Sequence, residues 1–289
     1  MDITEILSTH EMQIRLGSFF AVLVGMALWE VLAPRRSPVS SRAVRWANNL
    51  ALVAVNTLLL RLVFPAAAVG VAIFVDQQGW GLFNYYRLPG VVSGVLSVLA
   101  LDLVIYLQHV MVHAVPLLWR LHRVHHADVD FDVTTGIRFH PFEILVSMLI
   151  KAAAIVVLGA PVAAVLVFEL LLNASSLFNH GNVRMPVKVD RVLRWLVVTP
   201  DMHRVHHSVE DDETNSNFGF NLPWWDRLFG TYRDQPRAGH LAMTIGIHTF
   251  NEPRLVAWLP GLLMIPFVGR ISDYTINRRN WEPPAGPQR

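Results

Sequence analysis

The chain has 289 residues, of which 53% are hydrophobic and only 16% are charged, a balance that is unusual for a soluble globular domain. It contains no cysteine, which excludes disulfides and thiolate metal sites and leaves His, Asp and Glu as the side chains that could bind a metal. The formal charge of +2 gives no reason to expect a nucleic-acid partner.

Apolar residues are concentrated in long runs. The runs over 16–33, 49–75 and 91–115 each reach the about 20 residues that a helix needs to cross a bilayer. A fourth run, 144–178, is too long for one helix, and Gly-Ala-Pro at 159–161 breaks it near its middle, which indicates a helical hairpin. The sequence therefore predicts an all-α integral membrane bundle of about four spanning helices.

Arginines predict the orientation of this bundle. The N-terminal segment lacks the basic leader and the small-residue cleavage site of a signal peptide, so we expect the first span to be retained. By the positive-inside rule, both arginine-rich loops should face the cytoplasm, which in a bacterium means the inner side of the inner membrane. The arginines are Arg35, Arg36, Arg42 and Arg45 after the first span, and Arg120, Arg123 and Arg138 after the third.

Histidines form three clusters near the expected cytoplasmic ends of the spans. Helical residues four apart lie on one face about 6 Å apart, and an H-x-x-H-H pattern places three rings on one side of a turn. A catalytic zinc ion usually takes three protein ligands, so eight clustered imidazoles indicate two metal ions, although imidazole suits zinc, copper, nickel and iron alike. The clusters are His109 with His113, then His122, His125 and His126, then His203, His206 and His207.

Structural alternatives exist for several of these histidines. The two HRVHH segments could instead be basic amphipathic helices on lipid headgroups. His140 precedes Pro141, so it could cap a helix rather than bind metal. Three histidines have no patterned neighbours and are expected to be solvated or core residues: His10, His240 and His248.

Two polar stripes run along the predicted membrane helices, with helical spacing. An ionisable residue within a span costs on the order of 3 kcal/mol and indicates function or pairing. Asp102 and Glu169 could therefore accept the N–H of a ligating imidazole, or Glu169 could pair with Lys151, which is equally far from the hairpin turn. The stripes are Asp102, Tyr106, His109 and His113, and Glu169, Asn173, Ser176 and His180.

Two features outside the clusters suggest membrane contact. Trp224 and Trp225 could form an aromatic substrate platform, but tryptophan is typical of the headgroup layer, which favours an anchor. The apolar stretch 255–268, which contains two prolines, is too short to span and is expected to lie on the membrane or re-enter it.

The region 102–232 resembles the fatty acid hydroxylase superfamily, which includes sterol desaturases, sterol methyl oxidases and alkylglycerol monooxygenase. The resemblance rests on the H-x3-H at His109, both HRVHH boxes, HPFE at His140, and the NFG…WDRLFGTY segment from Asn217. It implies a membrane enzyme of lipid biosynthesis that binds two iron ions on the cytoplasmic side and uses O2. It implies as metal ligands His109, His113, His122, His125, His126, His180, His203, His206 and His207.

Some relatives have a further histidine where this chain has Ser176, so the ligand count stays open. The substrate implied is a fatty acyl, sterol or ether lipid, which is either hydroxylated or desaturated, with electrons from a separate protein or a pterin. Residues expected to support the ligands from behind are Asp102, Tyr106, Asn173 and Asn217.

Three regions follow: membrane spans in 1–90, the catalytic region in 91–240, and an interfacial helix with a loose tail (283–289) in 241–289. A dizinc membrane hydrolase and a histidine-based metal transporter are the alternatives. A transporter more often binds its ions near the bilayer midplane, and a hydrolase usually brings carboxylate ligands or an H-E-x-x-H helix, which the sequence lacks.

Overall fold

The computed structural model describes residues 10–250, 252–269 and 274–276, and the predicted loose tail at 283–289 lies outside them. Within these residues the regular structure is helical, apart from isolated β-bridges. The first eight helices are α1 (Glu11–Leu32), α2 (Arg42–Val63), α3 (Ala67–Gln78), α4 (Leu82–Tyr85), α5 (Gly90–Ala114), α6 (Pro116–His126), α7 (Pro141–Leu158) and α8 (Val162–Asn179). The shorter ones are α9 (Val187–Leu193), α10 (Pro200–His206), α11 (Asp211–Thr214), α12 (Trp224–Phe229), α13 (Gly239–Ala242), α14 (Pro253–Ala257) and α15 (Leu259–Met264), with 3-10 turns at Thr135–Ile137 and Ile265–Phe267.

Five helical stretches of the described chain are long and apolar enough to cross a membrane: α1, the stretch Arg42–Tyr85, α5, α7 and α8. Many of their apolar side chains point outward, such as Leu32 and Val91, each 82% exposed. Such surface is stable against lipid rather than water. The predicted all-α multi-pass bundle is confirmed, and each arm of the hairpin is long and apolar enough to cross by itself.

The second predicted span, 49–75, is interrupted in the structure. Helix α2 ends at Val63 and α3 begins at Ala67. Pro65 lies between them, and proline both lacks an N–H and disfavours helical geometry in the preceding residue. Helix α2 also begins earlier than predicted, because its first turns belong to the polar cap beyond the membrane region, where Arg45 and Asn49 bond to the 128–135 segment.

The hairpin of α7 and α8 turns at Gly159, as predicted. Gly159 has φ of +69°, and a Cβ there would come within 2.6 Å of the Trp80 carbonyl oxygen, so the position requires glycine. Glu169 of α8 forms ion pairs with Lys151 of α7, as the matched distances from the turn predicted, and also with Arg15 of α1. These charges join three neighbouring helices.

Both arginine-rich loops meet at one end of the bundle and build a cap. Arg45 is buried and donates to Asp128 at 2.7 Å and to Asp132 at 2.6 Å. Burial by itself would raise the pKa of Asp128, but the guanidinium groups of Arg45 and Arg138 lower it to about 2. The segment that follows the first HRVHH box is thereby locked to the start of α2.

The C-terminal apolar stretch forms two short helices, α14 and α15, and the 3-10 turn after them. One side of this unit is buried: Val256, Leu262 and Ile265 pack against Trp119 and Leu52 of the cap. This side is part of the core of the cap, and the segment consists of two short helices where the sequence predicted one interfacial helix.

Candidate metal centre

Helix α5 and helix α6 supply the first five histidines. His109 and His113 lie one turn apart at the end of α5, and the chain reverses at Pro116, which begins α6. Because α6 folds back beside α5, Nε2 of His109 lies 3.2 Å from Nε2 of His122, and Nε2 of His113 lies 3.2 Å from Nε2 of His126.

The remaining four histidines come from the end of α8 and from α10 with the residue after it. His180 follows the last residue of α8 and points its Nε2 at His125 and His203, at 3.1 Å from each. Thr199 caps α10, and Pro200 begins it, which starts the second HRVHH box at a defined turn.

These side chains form two buried clusters, and in each the ligand atoms lie within 4.8 Å of one another. The clusters adjoin, since the rings of His126 and His207 lie 4.6 Å apart and those of His203 and His206 lie 5.1 Å apart. The five-histidine cluster is His109, His113, His122, His126 and His206; the four-histidine cluster is His125, His180, His203 and His207. The structure thus brings together all nine histidines that the sequence singled out, including His180.

Hydrogen bonds fix which ring nitrogen carries the proton. Nδ1 of His109, His180 and His206 lies 2.7–2.8 Å from the carbonyl oxygens of Phe218, Ser176 and Ser216, respectively. A carbonyl only accepts, so each Nδ1 must be an N–H donor, and each Nε2 then presents a lone pair to the cluster.

The lone pairs face one another, and this arrangement fits a metal ion. Nε2 of His109 and Nε2 of His122 are 3.2 Å apart, although both rings use Nδ1–H elsewhere, so they cannot hydrogen-bond to each other. A cation about 2.1 Å from two imidazole nitrogens, at an angle of about 100°, holds them about 3.2 Å apart. The buried Nε2 of His206 and both ring nitrogens of His207 have no hydrogen-bond partner. A cation in each cluster would satisfy Nε2 of His206 and one of the two nitrogens of His207.

Burial keeps several of the clustered imidazoles outside the spans neutral at physiological pH. Burial, together with neighbouring histidines, lowers the pKa of His206 to about 3, and burial lowers the pKa of His180 to about 3. Burial likewise lowers the pKa of His125, His203 and His207 well below 6.5. Metal ligation requires neutral imidazole, so the site needs no deprotonation before an ion binds.

Two supporting residues were missed by the sequence reasoning. Glu143 of α7 accepts from Nδ1 of His122 at 2.6 Å, and the Asn215 side chain lies 3.2 Å from Nδ1 of His113. Glu143 is the last residue of the HPFE stretch, so that motif could have indicated its role from the sequence. Asn215 lies in a loop after α11 and reaches His113 only through the tertiary fold.

The four residues expected to support the ligands make other contacts. The Asp102 carboxylate accepts from Asn221 and Trp225, each at 2.8 Å, and so fixes a loop rather than an imidazole. The Tyr106 hydroxyl bonds Thr231, and the Asn173 amide bonds its own helix at Glu169. The Asn217 amide donates to the Met202 and Arg233 carbonyls and thereby holds α10. A stripe of polar residues gives the face of a helix but not the neighbour that packs there.

Four histidines of the described chain lie in neither cluster: His10, His140, His240 and His248. His140 is the N-cap of α7, where its Nδ1 accepts from the Phe142 N–H at 3.3 Å. His140 therefore caps a helix, which is the alternative to metal binding that the sequence offered.

Aromatic rings enclose the clusters. Phe139 stacks on His125 with centroids 4.5 Å apart, and Phe131 stacks on His180 at 5.4 Å. Phe218 contacts His109 and His113 at 5.5 and 5.1 Å. These rings keep water from the imidazoles and leave an apolar surface beside the nitrogens.

The chain is similar in sequence to several known proteins. The chain is 29% identical over 228 residues to an ornithine lipid hydroxylase from Rhizobium tropici, an alignment that covers 76% of the chain and 67% of the relative. It is 28% identical over 161 residues to alkylglycerol monooxygenase from Xenopus tropicalis and 26% identical over 158 residues to the Homo sapiens protein. These last two alignments span about half of the chain (54% and 53%) and about a third of the relatives (34% and 33%).

No solved structure gives a significant match to the chain. The family model described as "Fatty acid hydroxylase" matches residues 94–231, the region that carries all nine clustered histidines. The resemblance seen in the histidine motifs is thereby confirmed: residues 94–231 match the fatty acid hydroxylase family.

Proposed function

We propose that this protein is a multi-pass membrane hydroxylase that oxidises a lipid with O2 at two histidine-bound iron ions. The observation that carries the proposal is the pair of adjoining, buried histidine clusters whose Nε2 lone pairs face one another. The most similar relatives reported above are a lipid hydroxylase and monooxygenases, which favours insertion of oxygen over desaturation.

The residues present fit two metal ions of a redox-active kind. The five-histidine and four-histidine clusters would each hold one ion, with Glu143 contributing a negative charge behind His122. Imidazole does not choose among transition metals, but zinc has no redox chemistry, so oxidation of a lipid requires iron or copper, and the family favours iron. Bound iron would supply the chemistry with O2 and external electrons that oxidises an unactivated C–H bond.

The protein's own groups position and protect this centre. Carbonyl oxygens of Phe218, Ser176 and Ser216 hold three imidazoles in one tautomer and one orientation. The rings of Phe131, Phe139 and Phe218 exclude water and leave an apolar wall suited to a hydrocarbon chain. A lipid whose chain entered from the bilayer and lay against this wall would have its C–H bonds beside the metal ions.

The side of the membrane follows from charge. Both arginine-rich loops lie at the metal end of the bundle, where Arg45 bonds the segment after the first HRVHH box. Loops rich in arginine stay in the cytoplasm. We place the metal centre on the cytoplasmic side, where a separate one-electron carrier protein or a pterin can supply electrons.

The alternatives have less support. Both clusters lie at one end of the bundle, whereas a transporter more often binds its ions near the midplane. In the described chain the clusters contain histidine alone, without the carboxylate ligand typical of a dizinc hydrolase.

Metal analysis and lipid analysis test the proposal together. Protein purified without oxygen should hold about two irons per chain, and host lipids should gain one oxygen atom when it is expressed. We expect His206→Ala to abolish the modified lipid while the protein still inserts in the membrane. Two tightly bound zincs with no oxygen consumption would instead favour the hydrolase, and a modified lipid from the His206→Ala variant would remove that histidine from the site.

A further inference from the structure

Two segments on one side of the cap expose a continuous apolar surface. One is 184–196, which contains α9, and the other is α12. Val187 and Leu228 are each 69% exposed, and large apolar patches on a protein surface mark an interaction site. We name this surface the belt; its exposed apolar side chains are Val187, Val189, Val192, Trp195, Leu196, Trp224, Leu228 and Phe229.

The two segments form one surface rather than two. The Trp224 indole N–H donates to the Trp195 carbonyl at 2.7 Å. The Arg227 guanidinium lies 3.9 Å from the Trp195 ring centroid and donates to the Arg194 carbonyl at 3.1 Å. These contacts hold α12 against the segment after α9, so the belt has a defined shape.

The exposed charges of the segment 184–196 are all positive. Arg184, Lys188 and Arg191 are exposed. The acidic residues of the two segments, Asp190 and Asp226, are buried, and Asp190 is held by Arg194 and Thr199. The belt therefore presents apolar side chains with basic ones between them, which is the composition of a surface that lies on anionic lipid.

Contacts with the spans place the belt at the edge of the membrane region. The Arg184 N–H donates to the Ala33 carbonyl at 2.8 Å, just after the end of α1. On α5, the Trp225 indole bonds Asp102, and the Phe229 ring stacks on Tyr106 at 5.5 Å. The exposed Leu107 shows that α5 still faces lipid at this level. The belt thus continues the lipid-facing surface toward the metal end.

We propose that the belt lies in the headgroup layer of the leaflet on the metal side and binds anionic phospholipid there. Its aromatic and aliphatic side chains enter the boundary of the acyl region, and Arg184, Lys188 and Arg191 contact the phosphates. A docked protein is the other possible occupant, and the experiment separates the two. Because the readouts below need neither metal nor substrate, they are independent of the proposed enzymatic function.

The absence of cysteine from the chain allows single labels. Val192→Cys and Leu228→Cys would each carry a spin label in vesicles of equal parts phosphatidylcholine and phosphatidylglycerol. Leu149→Cys, on the exposed middle of α7, is the bilayer reference, and Glu210→Cys, exposed beside acidic α11, is the water reference. We expect both belt labels to collide more with lipid-soluble oxygen than with a water-soluble nickel chelate. If both behave like the label at 210, the belt lies in water and the proposal is wrong.

A second measurement tests the charge preference. A fluorescent label at 192 should be quenched more by brominated phosphatidylglycerol than by brominated phosphatidylcholine. Each basic contact should raise the local concentration of the anionic lipid by about fivefold. Lys188→Gln with Arg191→Gln should reduce the preference to that of the one remaining basic contact, Arg184, and a label at 149 should show none. Equal quenching by the two lipids at 192 in the unaltered belt would overturn anionic-lipid binding.

Discussion

Five of the nine clustered imidazoles bond Nδ1 to the protein and leave Nε2 for a ligand. Where the partner of Nδ1 is a backbone carbonyl, as at His109 and His206, side-chain replacement cannot remove it. His122 differs, since its Nδ1 faces the carboxylate of Glu143 at 2.6 Å. This side-chain contact makes the support of a ligand accessible to mutation.

We therefore expect Glu143→Gln to weaken metal retention in the five-histidine cluster by about 10- to 100-fold, because the carboxylate both orients His122 and increases its basicity. Metal remaining after titration with a chelator measures the effect. Glu210→Gln, which changes an exposed carboxylate away from the clusters, is the control. Equal retention in Glu143→Gln and the control would show that this carboxylate does not support the ligand.

At the scale of elements, the hairpin of α7 and α8 depends on a close approach of two backbones. Gly81 packs against the turn so closely that a Cβ on it would lie 2.1 Å from the Gly159 nitrogen. Gly159 itself has a positive φ and meets the Trp80 carbonyl. The turn thus sets the register in which Lys151 and Glu169 meet across the arms.

We expect Gly159→Ala to destabilise the protein by more than the about 1–2 kcal/mol that a left-handed conformation costs an alanine. Gly230→Ala is the matched control, because Gly230 also has a positive φ, +76°, but no atom within 4 Å of its Cβ position. Thermal unfolding in detergent compares the two variants. A Gly159→Ala variant no less stable than Gly230→Ala would mean that the Trp80 contact is not close in solution.

For the whole molecule, the burial of histidines at one end couples stability to proton uptake. Burial lowers the pKa of His180 and His206 to about 3 in the folded protein, against about 6.5 in an unfolded chain. Between these values the unfolded chain binds more protons than the folded one. Folding is therefore favoured fully above pH 6.5 and progressively less as the pH falls toward 3.

The metal-free protein is accordingly expected to unfold at a lower temperature at pH 5.5 than at pH 7.5. At one unit below 6.5, each such histidine costs about 1.4 kcal/mol of stability. Circular dichroism during heating of chelator-treated protein measures this. An unchanged or higher midpoint at pH 5.5 would mean that the imidazoles are solvated when the metal is absent.

The sequence alone determined what depends on local pattern. Apolar runs of membrane length predicted the helices, Gly-Ala-Pro at 159–161 predicted the hairpin, and the spacing of His109 with His113 and of the two HRVHH boxes predicted clustered imidazoles. Helical periodicity and the cost of polar groups in lipid act over a few residues, so these features can be read from neighbours in the chain.

The tertiary structure alone decided which residues meet across elements. It divides the histidines into groups of five and four. It brings Glu143 to His122 and Asn215 to His113, whereas Asp102 bonds a loop and Asn217 bonds a helix. The two residues of each contact come from different elements. Which elements lie side by side depends on how all of them pack together. Spacing along one helix fixes the direction in which a side chain points, but packing decides what lies there.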